Sequence, residues 1–294
     1  MSFTLDRRSF IIGSSLLLPA AGLLPAMAFA AGIDVRKQLA ALEKRTGGRL
    51  GVHVLDTKTK ASFAHRPDER FAMCSTFKAL AAAFVLARVD NGKEKLDRRI
   101  PISKADLLSY SPVVEKRVGG GMTVAELCDA AVTMSDNAAA NLLLASFGGP
   151  DGLTAWLRTI GDGTTRLDRT EPELNEAKVG DPRDTTTPMA MTQTLGKLLL
   201  QDTLSPSSRD QFAAWLVANK TGARRLRAGL PGGWTVGEKT GTSGHGEAGD
   251  IGFTRPAEGH VILASVYIAE GTKKTKELEP VFAEVGRLIA GMVA

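Results

Sequence analysis

Cysteine and histidine are scarce in this chain, and the shortage narrows its chemistry. Cys74 and Cys128 are the only cysteines in 294 residues. Cys74 precedes a Ser-Thr pair and Cys128 lies in an apolar stretch, so nothing in their spacing recommends a bridge, and two buried free thiols are expected. The four histidines, His53, His65, His245 and His260, form no His-x-His or His-Glu-x-x-His pattern. Neither a histidine-bound metal nor a Ser-His-Asp triad has support from them. Aromatic residues make up only 5% of the chain and few lie among the scattered Lys and Arg residues. A nucleic-acid partner is therefore not expected, despite a formal charge of +5 and a pI near 9.2. Internal repeats and low-complexity tracts are also missing, which argues against a solenoid or a disordered tail.

What remains is an ordinary globular composition, 43% hydrophobic and 23% charged, long enough for one large or two interlocked domains. The first thirty residues stand apart. Asp6-Arg7-Arg8-Ser9-Phe10 precedes an apolar run over 11–27, and Ala28-Phe29-Ala30 follows with small residues. This resembles a twin-arginine export signal, and Pro19, Pro25 and the Ala-x-Ala site favour cleavage over a membrane anchor. A periplasmic or secreted protein beginning near Ala31 is expected, without stable membrane association. No oligomerisation signal is seen, so a monomer is expected.

Strand patterns lie at both ends of the remaining chain. Residues 50–55 and 61–64 read as a strand pair, 234–240, 249–254 and 260–268 as three more, and 277–292 as a closing amphipathic helix. Helical signals fill the middle. Residues 76–88 are apolar almost all round, Thr123 and Glu126 form a capping box ahead of 125–133, and Thr187-Pro188 starts a helix over 189–200. The expected fold is α/β in the α+β sense: a five-stranded antiparallel sheet built from both termini and flanked by helices, with a helical domain inserted. The expected division is a signal at 1–30, a discontinuous α/β domain at 31–70 and 213–294, and a helical domain at 71–212. Residues 161–186 form a long stretch without periodicity, the kind of loop that is often functional. Arg169 and Asp184 bracket it and are placed to clamp its ends.

Four short patterns carry candidate chemistry. Ser75 and Lys78 are spaced to share a helix face, with the serine at a helix start whose free N–H groups suit an oxyanion. Ser135-Asp136-Asn137 reads as a turn between helices, and all three residues also favour turns for their own sake. Glu171 and Asn175 set a carboxylate and an amide four residues apart, a pair able to hold one water. Lys239-Thr240-Gly241 ends a strand-like run, where glycine lets a ligand approach the backbone.

Taken together and in this order, these motifs resemble class A serine β-lactamases, over essentially all of residues 31–294. The stretches 169–188, 227–231 and 234–241 share the likeness. The resemblance implies hydrolysis of the β-lactam ring of penicillins or cephalosporins, hence antibiotic resistance, with a small-molecule partner, no cofactor and no metal. Ser75 would attack the lactam carbonyl, with Lys78 or Glu171 as the base. The N–H groups of Ser75 and Thr242 would stabilise the oxyanion, and Ser135 would pass a proton to the departing nitrogen. Asn137 would orient Lys78 and the substrate amide, while Lys239, Thr240 and Thr242 would hold the substrate carboxylate beside Gly241. Glu171, with Asn175, would activate the deacylating water. Tyr110 occupies the place of an aromatic wall, and Arg225 that of an added positive charge. A cis bond before Pro172 is a plausible feature of the loop. Cys74 resembles the cysteine of broad-spectrum members, but Thr242-Ser243-Gly244 offers it no partner. A cell-wall transpeptidase or a β-lactam sensor would share the serine and Lys-Thr-Gly motifs but lack Glu171 and Asn175.

Overall fold

The computed structural model describes residues 24–256 and 260–293, with side chains from Asp34 onward. The arginine pair and most of the apolar run expected to form an export signal lie outside the described residues. Helix α1 spans Leu24–Thr46, and strands β1 (Arg49–Asp56) and β2 (Ser62–His65) follow as an antiparallel pair. The polar turn between them is closed by Asp56, whose carboxylate accepts from Lys58 and Thr59 backbone N–H groups.

The chain then leaves the sheet. Strand β3 (Phe71–Ala72) leads into the buried helix α2 (Phe77–Asp90), which is followed by β4 (Arg99–Ile100) and β5 (Met122–Thr123). Helices α3 (Val124–Thr133), α4 (Asn137–Ala145) and α5 (Gly149–Thr159) come next. Thr123 caps α3 as expected: its hydroxyl accepts from Glu126 N, and Glu126 Oε2 accepts from Thr123 N. Thr123→Ala is expected to cost about 1 kcal/mol, read as a lowered denaturant midpoint at unchanged slope. Strand β6 (Thr185–Thr186) pairs with β3, so the long loop returns to the point where the helical part began. Helices α6 (Pro188–Leu200) and α7 (Pro206–Val217) complete this part, and residue 213, where the terminal domain was expected to resume, lies inside α7.

The last third returns to the sheet with β7 (Thr235–Thr242), β8 (Ala248–Arg255) and β9 (Ile262–Ala269), then helix α8 (Thr275–Ala290). The order β2-β1-β9-β8-β7 is antiparallel throughout. Every residue of β9 is buried, because helices cover both faces of the sheet. Its side chains alternate: Ile262, Ala264, Val266 and Ile268 pack with Leu39, Phe282 and Val285, while Leu263 and Tyr267 join the core around α2. The five sheet strands and the closing helix agree with the sequence reading to within two residues at each end. Trp234, read as the first residue of a strand, lies just before β7, its N–H closing a turn onto Pro231 O.

Candidate active site

Ser75 sits in a single 3₁₀ turn, Cys74–Thr76, that runs directly into α2. Strand β7 passes against this turn so closely that a Cβ on Gly241 would come 2.6 Å from Met73 O and 3.1 Å from Ser75 N. Only glycine tolerates that approach, so the Lys-Thr-Gly strand meets the serine backbone directly. One turn beyond Ser75, at the second residue of α2, Lys78 is fully buried, and its three ammonium protons have three acceptors: Ser135 O at 2.8 Å, Asn137 Oδ1 at 2.6 Å and Glu171 Oε1 at 2.9 Å. Burial holds the Lys78 amine below its ordinary value, against the opposing pull of Glu171.

The Ser135 turn owes its shape to Asp136. That carboxylate is fully buried and caps α4 by accepting from Ala139 N, while its other oxygen accepts from Val113 N and Val114 N. Ser135 takes a left-handed backbone, φ 60°, and Asn137 N donates to Tyr110 O at 2.8 Å. The Tyr110 ring, half exposed, stands at the rim of the cleft.

Glu171 is carried by the long loop. Arg169 and Asp184 do clamp it, at 2.6 Å, and Asp184 also accepts from the N–H groups of Asp168 and Arg169. The Glu171–Pro172 bond is cis. The Glu171 carboxylate accepts from Ser75 Oγ at 3.3 Å and from Asn175 Nδ2 at 2.6 Å, so the amide and the serine flank it. Its backbone is gripped at both ends by Asn141, which accepts from Glu171 N at 3.0 Å and donates to Glu171 O at 2.8 Å. Asn141 escaped the sequence reading. Its place four residues after Asn137, on the same helix face, is the signal that could have found it.

The opposite wall belongs to β7. Lys239 is fully buried and donates to Ser135 Oγ at 3.0 Å and to Thr240 O at 2.8 Å. Burial, then the positive charges of Lys78 and Arg225, hold its amine well below the usual lysine value. The buried Arg225 donates to Gly241 O at 2.8 Å, Gly249 O at 2.6 Å and Thr242 Oγ1 at 2.6 Å. Thr221, a second residue absent from the sequence reading, hydrogen-bonds Thr240 through its hydroxyl.

Together Ser75, Tyr110, Ser135, Asn137, Asn175 and Thr240 line a cleft of about 370 Å³, with Arg225 and Thr242 also in its wall. Lys78, Lys239 and Arg225 give that cleft a positive field, suited to an anionic ligand. Cys74 and Cys128 are both free and buried, and burial pushes both thiols up, away from nucleophilic use. Among the described residues no cluster of His, Cys, Asp and Glu is arranged to hold a metal, and no helix is long and apolar enough to cross a membrane.

Known proteins share both the sequence and this arrangement of elements. The sequence profile of the Beta-lactamase enzyme family matches residues 34–293. β-Lactamase CTX-M-8 of Citrobacter amalonaticus is 47% identical over 275 residues, 94% of this chain and 93% of the relative. β-Lactamase L2 of Stenotrophomonas maltophilia is 44% identical, covering 97% of this chain and 98% of its own length. A solved ancestral class A β-lactamase (GNCA) superposes with a TM-score of 0.86 at 64% identity, covering 87% of this chain and 98% of that one. The chain belongs to this family as a class A serine β-lactamase, an enzyme that hydrolyses the β-lactam ring and so confers resistance to the antibiotics that carry it.

Proposed function

We propose that hydrolysis runs through a Ser75 acyl-enzyme, with Glu171 as the group that makes the enzyme turn over. The observation that carries this reading is the single oxygen Glu171 Oε1, which lies 3.3 Å from Ser75 Oγ and 2.9 Å from Lys78 Nζ. The Ser75 proton passes into this glutamate and lysine pair as the serine oxygen attacks the lactam carbonyl. The developing oxyanion lies against the backbone N–H groups of Ser75 and Thr242. As the ring opens, Ser135, held by Lys239, gives its proton to the departing nitrogen. Glu171 then takes a proton from the water that attacks the ester, and Asn175 holds the carboxylate in that task.

Asn137 orients Lys78 and meets the substrate amide. Lys239, Thr240 and Thr242, backed by Arg225, receive the substrate carboxylate, with Gly241 leaving room at the strand. Tyr110 forms the outer wall. We further propose export through the arginine-pair signal at residues 1–30, to act as a monomer in the periplasm or outside the cell without membrane attachment.

The test is the hydrolysis of a chromogenic cephalosporin by the purified enzyme, followed beyond one equivalent of substrate. Continuous turnover is expected. A single stoichiometric burst would instead mean that the site binds and holds the drug.

A further inference from the structure

Beneath the segment 222–227, the face shared by β7 and β8 buries two carboxyl groups that the mechanism does not use. Glu238 and Asp250 are 1% and 0% exposed and stand diagonally across the pairing of β7 with β8, Glu238 opposite Gly252 and Asp250 opposite Thr240. Each is held at one oxygen only. Arg227 Nε donates to Glu238 Oε1 at 2.7 Å, and Leu226 N donates to Asp250 Oδ2 at 3.1 Å. Their other oxygens, Glu238 Oε2 and Asp250 Oδ1, are buried with no donor, although the two side chains are in hydrogen-bonding contact. Ionised carboxylates only accept, so two such oxygens cannot satisfy each other. One proton between them satisfies both.

We propose that Glu238 and Asp250 share a single proton, in an O–H···O bond between Asp250 Oδ1 and Glu238 Oε2, and that this pair sets the charge behind the substrate-carboxylate end of the cleft. The second half of the inference rests on assigning Lys239, Thr240 and Thr242 to that carboxylate; the first half does not. In agreement with the shared proton, burial and then the charge of Glu238 hold Asp250 well above the usual carboxylate range.

The surroundings explain why one proton matters. Among the described residues Arg225 makes no ion pair, and its Nε has no partner. Its charge is opposed chiefly by Asp250, then by Glu279, with Glu238 contributing less. Arg227 is the charged group directly beside the pair, at Glu238; Lys239 of β7 and Tyr267 of β9 feel Asp250 from the other face of the sheet, while Glu279 of α8 and Cys74 of the Ser75 turn act on Arg225. With one proton the pair carries one negative charge, enough to steady Arg225 without cancelling the positive field at Thr240. Loss of the proton would add a second negative charge directly behind that residue and repel the substrate carboxylate. Glu238 and Asp250 touch no substrate and are positioning residues.

Infrared spectroscopy of the purified enzyme tests the proton itself. At neutral pH a protonated-carboxyl band is expected that shifts when aspartate or glutamate is labelled with ¹³C, and that is lost in both Asp250→Asn and Glu238→Gln. As pH rises and this band disappears, KM should increase about tenfold with kcat unchanged, the scale of one extra unit charge acting through an interior of effective dielectric about 20. In Asp250→Asn, whose amide donates permanently to Glu238 Oε2, KM should lose that alkaline rise.

A wild-type spectrum without the band at neutral pH overturns the shared proton. A wild-type KM that stays flat while the band titrates, or a rise at the pH of the band's loss that persists undiminished in Asp250→Asn, overturns the charge-setting role; a separate rise from Lys239, whose amine is also held low, is common to both enzymes. Should neither variant fold, the isotope shift and pH titration in wild type decide both halves. The infrared readout requires no hydrolysis, so failure of the reaction mechanism and failure of the shared proton remain distinguishable.

Discussion

Glu171→Ala should give an enzyme that acylates once and then stops. With the carboxylate gone, Lys78 still lies on the Ser75 face of α2 and can take the serine proton, so acylation slows but continues. Among the described residues no other carboxylate is in hydrogen-bonding reach of Ser75 Oγ to activate the deacylating water. Deacylation should fall about 10³-fold, within the 10²–10⁴ that a positioned base typically supplies. Intact-mass spectrometry should then find nearly every molecule carrying one substrate mass on Ser75. Removing Glu171 also strips the buried Lys78 of one of its three acceptors, a change of the kind that costs about 3–5 kcal/mol when a buried ion pair is broken. Glu171→Gln keeps the side-chain volume and should trap the same adduct at less structural cost. Turnover by either variant at the wild-type rate would remove Glu171 from deacylation.

Lys78→Arg should fail at the opposite step, with neither a burst nor an adduct. A guanidinium keeps its protons at every accessible pH, so it can balance Glu171 but cannot accept a proton on the way to the acyl-enzyme. The acylation rate should drop about 10³-fold, again the scale of a lost base. Wild type supplies an independent check through pH. Since burial lowers the Lys78 amine, the base-competent neutral form accumulates as pH rises through a value below the ordinary lysine range. Accordingly kcat/KM should climb along an acid limb that includes this titration, and Lys78→Arg should lose that component. Acylation of Lys78→Arg at the wild-type rate would make Glu171 the sole base, resolving for this enzyme a choice long argued in its family.

The contrast between these variants also marks what was legible before any coordinates. Ser75, Lys78, Ser135, Glu171 and Lys239 could be named from sequence because each lies in a local pattern of three to five residues. The sheet was legible for a similar reason, since alternation along β1 and the apolar run of β9 are local. Residues that work through distant contacts were not. Asn141 is an unremarkable polar residue of α4 until the loop thirty positions later lays Glu171 across it. Asp250 reads as one more charge in a strand until its diagonal neighbour proves to be Glu238. Helices α1, α5 and α7 have no counterpart in the sequence reading, although the buried Ser208, Phe212, Trp215 and Leu216 of α7 recur at helical spacing. Pattern reading followed the apolar helices first, and α7 mixes serine, arginine and aspartate into its exposed side.

The pairing of β1 with β9, Arg49 opposite Ala269, has a consequence for how the enzyme comes into being. The first strand to leave the ribosome must wait for the last, and nearly everything the reaction uses lies in the chain between them. The helical part can begin to gather while synthesis continues, because α2 packs against α3, α4, α5 and α7, although Leu263 and Tyr267 of β9 complete its core. The sheet cannot, since β1 and β8 both need β9 as their neighbour. Closure of the sheet therefore comes last, after the slow search that such distant pairings require. A ribosome that stalled just short of residue 262 would release Ser75, Lys78, Glu171 and even the Lys-Thr-Gly strand, and still not have made an enzyme.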